Sequence, residues 1–320
     1  MSVTASTPPR RRGSVRRTVT HDCTRLEGLN GPVTVLGRGR DLLTPDHGGT
    51  QVLDTAQLDV QADFATATIT SIVVEPTHSN LATLIGAGAF SGFRARVNQA
   101  MPAESDSGSL RYQLLDDLPT AIMLSGRALR VAGLGLDMKK SSGGLPVDIC
   151  AGWVADGTLL NGLTDNGPPL TLGPVASSVK SDDDSLGWHE IGPLAAYGTR
   201  RHRRLDVWQD DRAVLVDGFF RDSFADAQGV ETVVHEYTVS GAVDPETSRF
   251  LSSAAEAGPL PYPECPRALA SAQRVEGLAV GELRNVVRTG FVGPGTCTHL
   301  NDTLRSLQDI SALLRLLHRE

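Results

Sequence analysis

Slid along itself by 181 residues, the chain meets a copy of itself: residues 33–75 fall on residues 214–256 without a gap. Eleven of the 43 positions are identical, among them Val33/Val214, Val35/Val216, Gly37/Gly218, Arg40/Arg221 and Asp41/Asp222. Ordinary residue usage predicts about three matches by chance. A fainter echo at an offset of 187 lays "GSLRYQLLDDL" (108–118) over "GTCTHLNDTLR" (295–305), pairing Tyr112 with His299. A duplication constrains the fold strongly, because both copies must support the same local structure. The expected architecture is α+β, with two pseudo-symmetric strand-plus-helix halves at 19–118 and 201–320. A Gly/Pro-rich connector carrying the acidic "SDDDS" fills 119–200. Arginine–aspartate pairs that recur in both copies (Arg40/Asp41, Arg221/Asp222) read as structural, an internal salt bridge at a turn.

Apolar residues make up 40% of the chain and charged residues 21%, an ordinary globular balance. No apolar run approaches the ~18 residues of a spanning helix, so no membrane partner is expected. The net charge is −7, yet Arg10, Arg11, Arg12, Arg16 and Arg17 put +5 into the first twenty residues. The remainder, near −12, argues against general nucleic-acid binding. No apolar stretch follows these arginines, so "PPRRRGSVRR" reads as a disordered basic arm over 1–18 and not as an export signal. Cys23, Cys150, Cys265 and Cys297 then read as thiols of a cytoplasmic protein. Neither a phosphate-binding loop nor a dinucleotide fingerprint is present, and no nucleotide cofactor is expected.

Strand periodicity puts Val233, His235, Tyr237 and Val239 on one face, and Val52, Asp54, Ala56, Leu58 and Val60 on the matching face of the first copy. His235 and Asp54 thus share one inward position. After "GFVGPG", Leu300, Leu304, Leu307, Ile310, Leu313 and Leu317 recur at helical spacing. They predict a C-terminal amphipathic helix of about five turns, capped by Thr296 or Thr298. Cys297 and His299 fall at its start, where the helix dipole stabilises a thiolate and favours neutral imidazole. Cys265 sits between prolines at the start of another predicted helix.

Two cysteines and two histidines, His235, Cys265, Cys297 and His299, form a candidate set for Zn²⁺ or another divalent metal. Metal-free Cys/His chemistry and purely structural thiols remain alternatives. As a catalytic set, His235 is the base or first ligand, and His299 and Cys297 are ligands or an activated pair. Glu236 orients them, and Asp54 contributes from the other half.

The segments "RRLDV", "FFRDS", "VVHEYTVSGAVDPET", "PYPECPRAL" and "CTHLND" occur in that order. Over roughly 200–310 they resemble the bacterial family catalogued as domain of unknown function 2889, with "HDCTRLEGLNGPVTVLGRGRDL" and "LLDDLP" matching its long form. The resemblance assigns no catalytic residue. It implies a cytoplasmic protein linked to degradation of apolar or aromatic compounds. The expected function is a lyase or hydrolase for a small, largely apolar organic substrate. A non-catalytic metal or hydrophobic-ligand carrier, or a structural subunit, is the alternative, and a homodimer is compatible with either.

Overall fold

A computed structural model describes residues 4–134, 145–165 and 167–318. Eight antiparallel strands form one sheet in the order β4-β3-β2-β1-β5-β6-β7-β8. The first meander is β1 (Ser14–Thr24), β2 (Val33–Thr44), β3 (Gln51–Asp63) and β4 (Thr68–Glu75). The second is β5 (Thr199–Gln209), β6 (Val214–Ala225), β7 (Glu231–Val243) and β8 (Phe250–Ala257). Alternation drives both: Ala56, Leu58, Val60 and Ala62 are buried while Gln57, Asp59 and Gln61 face solvent. The two meanders agree in detail. Corresponding strands have equal lengths, and a β-bulge follows Asp41 in β2 and Asp222 in β6. Asp41 faces Asp54 across the ladder, as Asp222 faces His235.

The halves are not separate domains. β1 and β5 pair along their length, from Ser14↔Trp208 to Cys23↔Thr199, and close the two meanders into one sheet. The arm expected to be disordered over 1–18 therefore ends inside the structure. Arg16 is 1% exposed, and its guanidinium pairs with Asp206 at 2.5 Å. Arg200 pairs with Asp22 in the mirrored arrangement, also at 2.5 Å. Arg10 is tied to Asp184 at 2.9 Å. Side chains distant in sequence neutralise these arginines, which is what allows a basic segment to be buried.

One face of the sheet carries the helices α1 (Phe93–Ala100), α2 (Leu110–Leu124), α3 (Leu283–Gly290), α4 (Thr298–Ser306) and α5 (Ile310–Leu317). They cover two apolar cores, one around Leu58, Val60, Leu114 and Leu118 and one around Val207, Phe220, Leu300 and Leu313. Between the cores runs a buried ionic seam in which Arg17, Arg201 and Arg203 meet Asp117, Asp302 and Asp309. The predicted C-terminal helix is broken by a 3₁₀ turn at Leu307–Asp309, although Leu300, Leu304, Leu307, Ile310 and Leu313 are all buried as expected. The connector is partly α2 itself, which continues past residue 118. Its later part lies against the opposite face, where His189 bridges Thr18 and Thr20. No helix among the described residues is long and apolar enough to cross a membrane.

Candidate functional site

Asp222 and His235 are brought together by the β6–β7 ladder, and α4 supplies the third group. Gly293, with φ of +87°, turns the chain, and Thr296 donates its hydroxyl to the Gly293 carbonyl at 2.8 Å. Thr296 is thereby spent on the turn. The N-cap is Cys297, with no side-chain cap from it or from either expected threonine. Burial of Leu300 and Leu304 then sets the start of α4 over β6 and β7, so that His299 lands on His235.

The two imidazoles stack with centroids 3.7 Å apart and planes 20° from parallel. Asp222 Oδ2 lies 3.6 Å from His299 Nε2 and 3.9 Å from His235 Nδ1. One ligand atom from each of the three lies within 4.8 Å of the others. Ligands of a tetrahedral ion with bonds near 2.05 Å stand about 3.4 Å apart, so small side-chain rotations suffice to close the set. His235 Nδ1 is buried without a hydrogen-bond partner among the described residues. His299 Nδ1 points the other way, 3.4 Å from the Thr298 hydroxyl and 3.8 Å from the Cys297 sulfur. Such a contact fixes ring orientation and leaves Nε2 free for a ligand.

Electrostatics favour neutral rings. Burial pushes His299 down to about 3, with Arg201 adding to the effect. His235 is held well below the ordinary histidine range by burial first and by its neighbour His299 second, against the opposing pull of Asp222. Asp222 is fully buried and forked by Arg201, which donates from Nε and Nη2 at 2.9 Å each. Both imidazole side chains retain an outlet, 13% and 18% exposed. Two neutral imidazoles and a carboxylate form a donor set suited to zinc or ferrous iron, with at least one position left for water or substrate.

Three sequence expectations are corrected here. Glu236 lies on the opposite face of the sheet, where Arg221 donates to it at 2.5 Å and the Ala5 amide at 2.6 Å, so it orients nothing in the site. Asp54 is five strands from β7, about 24 Å at ordinary strand spacing, and cannot share a site with His235. The Arg221–Asp222 salt bridge does not exist. Both residues lie within β6 and not at a turn, with Arg221 paired to Glu236 and Asp222 to Arg201. Asp222 is the site residue that sequence reasoning missed. Its recurrence as Asp41 marks the position, but an Arg–Asp pair identical in both copies reads as scaffold.

The cysteines do not join the cluster. Among the described residues the group able to hold a metal contains neither Cys265 nor Cys297. Cys265 packs beside Gly152, where an added Cβ would meet its sulfur at 3.1 Å. Burial pushes the Cys297 thiol up to about 11 and Cys265 up to about 12, the reverse of what a helix start alone predicts. Desolvation outweighs the dipole because both side chains are about 5% exposed. At pH 8 both should react with iodoacetamide more than about tenfold slower than free cysteine, with rates still climbing at pH 9–10. Mass-spectrometric labelling of the native protein reads this directly, and fast modification of Cys297 would refute it.

Residues 199–312 match the model of a family described as protein of unknown function (DUF2889). The chain carries a DUF2889 domain. The match opens at the first residue of β5 and closes within α5, so Asp222, His235 and His299 all belong to it. No curated protein and no solved structure matches the chain. The first half holds Asp54, on β3, and Tyr112, on α2, where the DUF2889 domain has His235 and His299. Tyr112 there donates its hydroxyl to Asn98 at 2.6 Å, which makes a packing contact and not a ligand.

Proposed function

We propose that Asp222, His235 and His299 hold one divalent metal ion and that the DUF2889 domain is a metal-assisted hydrolase or lyase. The observation that carries this reading is the convergence of one carboxylate and two neutral imidazoles, with His235 Nδ1 buried and unpartnered. An ion there would bind substrate or water at its open position and polarise it. Arg201 fixes the carboxylate, and Thr298 and Cys297 orient His299. A small substrate is supported by a cavity of about 340 Å³ immediately before His235 along β7, where the side chains of Leu172, Val233, Val234, Leu260 and Pro261 stand beside Thr171 and exposed polar groups. The agreement of the two meanders supports an origin by duplication in which one half kept the chemistry and the other became scaffold.

Metal-stripped protein titrated with Zn²⁺ or Co²⁺ should take up about one equivalent per chain. His235→Ala and His299→Ala should each weaken that binding by at least 100-fold, and Cys265→Ala should leave it unchanged. Binding that is absent, or equally tight in both histidine variants, rejects the centre. Stoichiometric metal with no turnover across ester, amide and hydratable apolar substrates would favour a carrier.

A further inference from the structure

The two halves face each other across a second cavity, away from the imidazole pair. It encloses about 510 Å³ between α1 and α2 of the first half and α3 and α4 of the second. Its walls carry Arg94, Arg284, Arg288 and Arg305, and among the described residues no carboxylate lines it. In a chain of net charge −7 this concentration of cations is local, not a reflection of bulk composition. The acids that neutralise the arginines stand behind them. Asp309 takes Nη2 of Arg284, and Asp116 and Asp302 take the two terminal nitrogens of Arg305.

That arrangement leaves donors over. Arg284 is 9% exposed, and its Nε and Nη1 have no partner among the described residues, nor has Nε of Arg305. The guanidinium carbon of Arg284 lies over the Tyr112 ring, 4.6 Å from its centroid, a contact that holds the group in place at the cavity. Arg288 reaches the same cavity from the solvent side, donating to Asn285 at 3.0 Å. α1 begins at Gly92 on the cavity wall without a side-chain cap, adding the positive end of a helix dipole. Buried guanidinium donors without acceptors are costly, and a multiply charged oxyanion offers several acceptor oxygens that can satisfy them separately.

We propose that this inter-half cavity is a binding site for a small, multiply charged oxyanion, held by Arg284, Arg288, Arg94 and Arg305. The site is independent of the metal reading and goes beyond it. Phosphate esters and polycarboxylates share the required chemistry, and two probes separate them. Isothermal titration of the full-length chain at low salt with pyrophosphate and with citrate should show one site per chain for at least one probe. Its Kd should lie below about 1 mM and weaken as salt rises. Tighter pyrophosphate points to a phosphorylated ligand, and tighter citrate to a polycarboxylate. Arg288→Glu should weaken the tighter probe at least tenfold, and Arg284→Met by more. Should Arg284→Met fail to fold, the exposed Arg288→Glu decides the matter alone. Absence of binding by either probe at about 5 mM, or an affinity unchanged in Arg288→Glu, overturns the site.

Discussion

Arg201→Met should cost about 3–5 kcal/mol of stability, enough to consume a large part of the 5–15 kcal/mol that holds a typical domain together. Arg201 is fully buried on β5 and serves three carboxylates: Asp222 through two bonds of 2.9 Å, Asp302 at 3.2 Å and Asp117 at 3.6 Å. Its removal is not shared equally. Asp117 keeps Arg203 at 2.7 Å, and Asp302 keeps Arg94 and Arg305 at 3.1 Å each. Asp222 keeps only His235 and His299, both held neutral. An orphaned buried carboxylate is the costly case, and methionine restores the volume without restoring the charge. Arg201 also depresses both histidines, so its loss lets them rise and pair with Asp222 once protonated. The variant's deficit relative to the wild type should therefore narrow as pH falls from 7.5 to about 5.5, because its folded state takes up protons there more readily than the wild type's does. Urea unfolding at the two pH values measures both effects. A loss under about 1 kcal/mol at pH 7.5 would show that the ionic seam is a passenger, since exposed pairs contribute no more than that.

The seam also explains what the sequence could and could not tell. β2, β3, β6 and β7 were legible because alternation and the repeated V-x-V-x-G-x-x-R-D core identify half-buried strands. The apolar spacing after Thr298 was legible for the same kind of reason. β1 was not. "SVRRTVT" looks like a solvated basic arm because the acids that bury it, Asp41, Asp206 and Asp309, come from three other elements. Charge pairing over such separations leaves no local pattern. His235 and His299 were legible as ligand-type residues at special positions, whereas Asp222 was hidden by its own recurrence. The cysteines misled in the opposite direction: position at a helix start was readable, but the burial that reverses its effect on the thiol was not.

Gly173→Ala should detach the strap that closes the edge of the sheet beside the proposed metal centre. β8 pairs with β7 only from Tyr237 onward, which leaves the preceding stretch of β7 to be covered by residues 171–176. The strap does so by backbone bonds, Val233 donating to Pro174 at 2.9 Å and Ala176 donating to Glu231 at 2.8 Å, and Arg127 holds the Thr171 carbonyl. An ideal Cβ at Gly173 would stand 1.8 Å from the Val233 carbonyl oxygen. The obstacle is backbone and cannot rotate away, so the strap must retreat by more than 1 Å and surrender the bonds that flank it. Overpacking of this kind costs about 1–3 kcal/mol, here discharged by local release because the strap is a loop and not part of the sheet's apolar cores. Hydrogen exchange should show lost protection at the Val233 and Ala176 amides with little change along β1 and β5. Gly281→Ala, where an added Cβ meets nothing within 4 Å, should leave all of them protected. Release of the strap also widens the 340 Å³ cavity at Val233 and Val234, two residues from His235, and lets more water reach that end of β7. Metal bound at His235 should accordingly dissociate faster in Gly173→Ala, which a chelator-exchange assay follows. Unchanged protection at Val233 would mean that the strap does not hold this edge, and an unchanged off-rate with lost protection would place the route to the ion elsewhere.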